Sequence, residues 1–190
     1  MGKKAVYILL TDTGTLFSRM IKFYTGAPYN HVSIALDEKL DQLYSFGRKV
    51  YCNPFSAGFI HERIDRGVFY HRKNTTCALY KMMVTEEQYK RLLHMIEQFK
   101  KFSSNYRYNL LGVFAIAVNM ELKRTDAYTC SQFVATVLAR SGISLPGKRP
   151  ELMRPDDFPK MANLELIYEG KLHDYFSHRQ PVQVPNLINI

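Results

Sequence analysis

Cys130 and His31 are the two residues of this sequence whose types and positions best suit nucleophilic chemistry. Cys130 falls in the first turn of a helix predicted from Thr129 to Arg140, which Thr129 can cap and Gly142 ends. The partial positive charge and unpaired N–H groups of a first turn favour a thiolate, and they can bind the oxyanion of a tetrahedral intermediate. His31 begins a predicted strand, whose rigid backbone would hold it as the general base.

These positions predict a thiolate–imidazolium pair of Cys130 and His31, but a purely structural interpretation is also open. Free cysteine is mostly protonated at neutral pH, so contact with a charged imidazole would be needed to make Cys130 a strong nucleophile. In the structural interpretation, Cys130 is a small buried core residue and His31 is a polar residue whose hydrogen bonds are satisfied. The two positions alone leave both interpretations open.

Three segments around these residues carry a resemblance to a known superfamily. They are Tyr29 to Leu36, Leu43 to Gly47 and Tyr128 to Val134. Together they resemble the NlpC/P60 superfamily of papain-like proteins, in which the cysteine helix usually precedes the histidine strand. Here the histidine precedes the cysteine by 99 residues. This order is similar to the circularly permuted branch, which includes the YiiX/YaeF-like bacterial proteins and the lecithin:retinol acyltransferase group. The resemblance spans about residues 5 to 170.

The resemblance implies a bacterial thiol hydrolase or acyltransferase that cleaves amide or ester bonds through an acyl-enzyme on Cys130, with His31 as the base. Its implied substrates are small peptides, glycopeptides or lipids, and it implies no cofactor. It also implies a third polar residue on the strand after the histidine, where this sequence has Ser45. A serine can accept the imidazole N–H, but it cannot balance an imidazolium charge as a carboxylate does. Glu62, in a predicted long loop, is the alternative third residue. A binding module that keeps the papain-like fold without catalysis is the alternative function.

The hydrophobic pattern predicts an α+β fold in which a mixed or antiparallel sheet packs against helices. The papain-like domain is predicted over residues 1–175, followed by an extended tail at 176–190. Apolar runs and alternation predict strands, whereas 3.6-residue periodicity and a capping box predict helices. The predicted strands are 5–11, 31–36, 42–50, 76–84 and 164–168. The predicted helices are 13–25, one that opens at Thr85, 109–120 and 129–140, and residues 51–71 are predicted to be a loop.

Composition and charge argue against several other classes of function. Basic residues exceed acidic ones by nine, but they are scattered and accompany no nucleic-acid-binding motif. We therefore expect no nucleic-acid partner, and at most peripheral contact with anionic surfaces. No apolar run approaches the roughly 20 residues of a membrane-spanning helix, and no export signal is visible, so we expect a cytoplasmic protein. Cys52, His61, Glu62, His71 and Cys77 match no metal-ligand spacing, so no metal site is predicted.

Overall fold

The computed structural model describes residues 2–15, 19, 22, 26–50, 53–104, 107–108 and 127–179. The predicted helix 13–25 lies largely outside the described residues, and the predicted helix 109–120 lies wholly outside them. Cys52 and the part of the predicted tail after residue 179 also lie outside.

Six strands form one antiparallel sheet, which confirms the predicted α+β class. All the described strands, including two that lie outside this sheet, are in chain order β1 (Lys3–Asp12), β2 (His31–Ala35), β3 (Leu43–Val50), β4 (Asn53–Glu62), β5 (Thr76–Thr85), β6 (Arg107–Tyr108), β7 (Ala127–Tyr128) and β8 (Leu164–Lys171). The order across the six-stranded sheet is β4-β3-β2-β1-β5-β8, and every neighbouring pair in it is antiparallel. The short strands β6 and β7 pair with each other in parallel.

The described helices follow the ends of strands or connect them. They are α1 (Gly67–His71), α2 (Glu86–Lys101), α3 (Cys130–Arg140) and α4 (Leu172–Arg179), with 3₁₀-helices at Pro150–Leu152 and Pro155–Lys160. At the start of α2, Thr85 and Gln88 form the predicted capping box. Helix α4 includes residues 176–179, which the sequence assigns to the extended tail. Among the described residues, no helix has the length and apolar character needed to cross a membrane.

Strand β1 lies inside the sheet and contributes to a hydrophobic cluster on each side of it. Because successive strand residues point to opposite faces, Val6, Ile8 and Leu10 join the larger cluster, which contains residues of α2 and α3. Tyr7 and Leu9 join the smaller cluster, which contains residues of α1 and α4. Burial on both faces explains the continuous apolar run of β1. The sheet therefore lies between two layers of helices, and α3 packs near β2 and β3.

The prediction of a loop over residues 51–71 is wrong for most of that range. Residues 53–62 form β4, which pairs with β3 as an antiparallel hairpin, and residues 67–71 form α1. Pro54 and Gly58 indicated chain breaks in the sequence. However, β4 lies at one edge of the six-stranded sheet, and edge strands tolerate a missing N–H or a glycine. The consequence for the site is that Glu62 lies at the end of a strand rather than in a loop.

Candidate active site

The backbone leading into His31 is fixed by hydrogen bonds to two other strands. The N–H of Asn30 donates to the carbonyl of Thr11 at 3.2 Å, and Asn30 Nδ2 donates to Asp12 Oδ1 at 3.1 Å. The hydroxyl of Tyr29 donates to Glu169 Oε1 at 2.8 Å, which reaches β8. These bonds hold the chain immediately before β2, so the imidazole projects from a rigid backbone.

The Nε2 nitrogen of His31 faces Glu62 and Ser33. It lies 2.8 Å from Glu62 Oε1 and 3.3 Å from Ser33 Oγ. The hydroxyl of Ser33 donates to the other carboxylate oxygen, Glu62 Oε2. The side chains of His31 and Glu62 are 18% and 9% exposed, and Ser33 is fully buried. The three side chains therefore form a closed hydrogen-bond network that is largely screened from water, where such bonds are strong.

Cys130 is the first residue of α3, as the sequence predicts. Thr129 caps the helix, because its Oγ1 accepts from the N–H of Gln132 at 3.1 Å. The first backbone bond of the helix runs from the N–H of Phe133 to the carbonyl of Thr129 at 3.0 Å. The N–H groups of Cys130 and Ser131 precede that bond, so the helix does not use them as donors. The sulfur therefore lies at the positive end of the helix dipole.

The Cys130 side chain contributes to the electrostatics of the His31 imidazole, so the two residues singled out by the sequence lie close together. Nε2 is engaged with Glu62, which leaves Nδ1 as the ring nitrogen available to a further partner. Burial acts to lower the pKa of His31. The negative charge of Glu62 and the hydrogen bonds to Cys130 and Glu62 outweigh burial, and they raise the pKa from 6.5 to about 10. The imidazole is therefore positively charged at neutral pH.

Ser45 is in the core of the sheet, and its hydroxyl is used by the backbone. It is fully buried, and its Oγ donates to the carbonyl of Val32 at 2.7 Å. The residue at Nε2 of His31 is Glu62, which the sequence offers only as the alternative third residue. The missed signal was the strand character of residues 53–62, since the β3–β4 hairpin is what brings Glu62 into the sheet.

Gly47 of β3 leaves room for the side chain of Ile60, beside the imidazole ring of His31. A Cβ added at Gly47 would lie 3.6 Å from His31 Cε1, in ordinary contact, and 3.0 Å from Ile60 Cδ1, which is too close without movement. The glycine of the Leu43 to Gly47 segment thus lets the ring and Ile60 pack over bare backbone. This gives a physical reason for a glycine at this point of the motif.

Two of the other candidate residues, Cys77 and His61, have different surroundings. Burial and the charge of Glu169 raise the pKa of the Cys77 thiol to about 12, so this cysteine is expected to be unreactive. His61 stacks on Tyr44, and its Nε2 lies 2.7 Å from the carbonyl oxygen of Asp41. Within the described part of the chain, no group of three or more His, Cys, Asp or Glu side chains is arranged to hold a metal ion.

Two surface cavities lined by described residues lie near the carboxyl end of α3. One is lined by residues within 139–150, and the other by Gln88 and residues within 142–163. Neither is lined by Cys130 or His31, and Cys130 is only 6% exposed. The segments that lead into the two residues, 16–25 and 109–126, lie largely or wholly outside the described residues.

No protein-family model matches the chain, and no curated protein matches it significantly. Function is therefore inferred from the geometry of the site and from the sequence motifs that surround it.

Proposed function

We propose that this chain is a thiol hydrolase or acyltransferase that forms an acyl-enzyme on Cys130. The observation that carries the proposal is the position of His31, which hydrogen-bonds to Glu62 and lies close enough to Cys130 to interact with it electrostatically. In such an arrangement the histidine transfers the proton, while the carboxylate orients the ring and balances its charge. The circularly permuted NlpC/P60 resemblance of the surrounding motifs supports the same assignment.

The proposed first step transfers an acyl group from the substrate to the sulfur of Cys130. The thiolate attacks the carbonyl carbon of an ester or amide, and the first-turn N–H groups of α3 stabilise the oxyanion. The C–O or C–N bond then breaks, and the leaving alcohol or amine takes the proton of His31 Nδ1. In the second step, water or an acceptor alcohol or amine gives a proton to His31 and attacks the thioester. Cys130 leaves as the thiolate, and His31 is again protonated.

The proposed substrates are small peptides, glycopeptides or lipids that carry a cleavable amide or ester. Both described cysteines, Cys77 and Cys130, are free thiols, which supports action in a reducing compartment such as the cytoplasm. The formal charge of +9 supports peripheral contact with anionic surfaces.

Acylation by p-nitrophenyl acetate tests the proposed function. We expect a burst of nitrophenolate, and a single acetyl group located on Cys130 by mass spectrometry. Cys130→Ala should lose the burst and His31→Ala should slow it at neutral pH, while Cys77→Ala, the matched control, should retain it. A protein that carries no acetyl group on Cys130, or carries it equally on Cys77, would contradict the proposal.

The same assay identifies the residue that orients His31. Glu62→Gln removes the charge beside Nε2 and should slow acylation about 100-fold, the scale of a lost acid–base contribution. Ser45→Ala removes a hydroxyl that is bonded to the Val32 carbonyl, so its effect on acylation should be within about twofold of the wild type. The opposite ranking would assign the orienting role to Ser45.

A non-catalytic binding module with a papain-like fold is the second candidate function. The low exposure of Cys130 and the position of the two cavities, away from the site, favour it. Turnover separates the two candidates. With an acceptor alcohol or amine present, an enzyme releases many nitrophenolate ions per chain, because water or the acceptor resolves the thioester, whereas a binding module releases at most one.

A further inference from the structure

We infer that Ser33 is a positioning residue of this site: its hydroxyl fixes the Glu62 carboxylate, which in turn fixes the imidazole of His31. The inference rests on the proposed function and adds to it a residue that the sequence analysis does not single out.

The position of Ser33 in the chain places it beside His31. The two residues are separated by one residue on β2, and side chains at such positions share a face of the strand. The hydroxyl of Ser33 has one proton, and it donates that proton to Glu62 Oε2. Its lone pairs remain available to the N–H of His31, whose Nε2 lies 3.3 Å away. Ser33 is fully buried, so its hydroxyl depends on these two partners rather than on bulk water.

Glu62 needs a second anchor because it comes from another part of the sheet. Its strand, β4, is separated from β2 by β3, so the long side chain of Glu62 must reach across β3 to meet His31. The bond from His31 Nε2 to Oε1 holds one carboxylate oxygen and leaves the carboxylate free to turn about it. The bond from Ser33 to Oε2 removes that freedom, and small errors in the orientation of a catalytic group are costly for rate.

Ser45 shows that a buried serine hydroxyl nearby is not sufficient for this role. It lies on the adjacent strand β3 and is fully buried, as Ser33 is, but its hydroxyl donates to the Val32 carbonyl. Of these two serines, Ser33 is the one whose hydroxyl contacts His31 and Glu62.

The test compares Ser33→Ala with Ser141→Ala in two measurements. Ser141 is a matched control, because it is fully buried and its hydroxyl donates to the Val137 carbonyl, at the far end of α3. Ser33→Ala should slow acylation by p-nitrophenyl acetate about tenfold, because Glu62 is less well oriented. The titration of the His31 imidazole, followed by NMR, should move to lower pH, because the contact with Glu62 is made less often. Ser141→Ala should change neither quantity.

A double-mutant cycle shows whether Ser33 acts through Glu62. In a Glu62→Gln background, Ser33→Ala should change the acylation rate by less than about twofold, because the group it positions is already gone. An equal effect in both backgrounds, or an unchanged His31 titration, would overturn the inference and leave Ser33 a structural residue. If Ser33→Ala fails to fold, Ser33→Cys provides the test through the NMR titration and through acetylation of Cys130 located by mass spectrometry, because a thiol of similar size donates only weakly. Failure of the wild type to be acylated on Cys130 would count against the proposed function alone, since the NMR titration still decides the effect of Ser33 on His31.

Discussion

The imidazole of His31 is controlled by two opposing influences at the scale of the single residue. Burial favours the neutral ring, whereas the charge of Glu62 and the hydrogen bonds to Glu62 and Cys130 favour the cation, and the cation prevails. A histidine at its ordinary pKa of 6.5 would lose most of its charge by neutral pH, and this one retains it. The imidazole therefore keeps its proton at neutral pH, which is the proton that the proposed acyl transfer gives to the leaving group.

The raised pKa of His31 gives the first prediction. The rate at which p-nitrophenyl acetate acylates the wild type should fall only near pH 10, where His31 loses its proton. In Glu62→Gln this alkaline limb should move to lower pH, because the negative charge that stabilises the cation is removed. The measurement is the pH dependence of the burst rate, corrected for the reaction of the ester with hydroxide. Glu165→Gln, which neutralises an exposed carboxylate on β8, should leave the limb in place. A limb at the same pH in wild type and Glu62→Gln would mean that Glu62 does not set the charge of His31.

At the scale of elements, α2 and α3 begin with similar caps but carry different functions. Thr85 caps α2 through the N–H of Gln88, and Thr129 caps α3 through the N–H of Gln132. Of these two helices, only α3 has a cysteine, the proposed nucleophile, in its first turn.

The second prediction uses this pair of helices. Thr85→Ala and Thr129→Ala should each lower the free energy of unfolding by about 1 kcal/mol, the usual cost of losing an N-cap. Only Thr129→Ala should also slow acylation of Cys130, because it loosens the turn that holds the sulfur and the N–H donors. Chemical denaturation and burst kinetics measure the two effects separately. Equal burst rates in both variants would mean that the cap stabilises α3 without positioning Cys130.

The third prediction concerns Thr11 on β1, the cross-strand partner of His31. Thr11 Oγ1 is buried, and it has no hydrogen-bond partner among the described residues. Thr11→Val replaces an unsatisfied hydroxyl by a methyl group of similar size, so the free energy of unfolding should rise by about 1 kcal/mol. Ser45→Ala is the control, because it removes a satisfied bond and should lower that free energy by a similar amount. A less stable Thr11→Val in urea denaturation would show that the hydroxyl finds a partner in solution.

The sequence predicts the elements of the site whose signals are local. Cys130 follows a capping threonine and precedes an apolar stripe, and His31 opens a run of alternating residues, so both positions can be predicted from neighbouring residues. The role of Glu62 depends on the pairing of β3 with β4, which Pro54 and Gly58 obscure in the sequence. The role of Ser33 depends on the contact of one hydroxyl with a carboxylate from another strand, and no local pattern encodes such a contact.

At the scale of the whole molecule, a second buried charge lies far along the chain from the site. Asp157 is 1% exposed, and its carboxylate accepts from Lys148, Lys160 and the N–H of Arg154. Burial acts to raise its pKa, but these hydrogen bonds and the charge of Lys148 outweigh burial and lower it. This carboxylate ties together the segment that contains both 3₁₀-helices.

The fourth prediction is that the free energy of unfolding falls both at alkaline pH and at acid pH. The pKa of His31 is raised on folding, so its contribution is complete below pH 6.5 and is lost as the pH rises toward 10. The slope on that side should be at most about 1.4 kcal/mol per pH unit from this group. The pKa of Asp157 is lowered, so its contribution is present above its ordinary value of 3.8 and is lost as the pH falls further.

Urea denaturation across the pH range measures both slopes. His31→Gln should flatten the alkaline side and leave the acid side, whereas Asp157→Asn should flatten the acid side and leave the alkaline side. A variant that flattens neither side, or the opposite side, would contradict the assignment of that slope to its residue.

The order of the site residues along the chain has a consequence for synthesis on the ribosome. His31, Ser33 and Glu62 lie within β2 and β4, early in the chain, while Cys130 follows about 70 residues later. At roughly 5–20 residues per second, the acid–base partners are translated some 3–14 seconds before the nucleophile. Throughout that interval the nascent chain contains His31, Ser33 and Glu62 but lacks Cys130. Under the proposed function, a chain that stalls before α3 could not take up an acyl group on Cys130, so acyl transfer would begin only after most of the sheet has been translated.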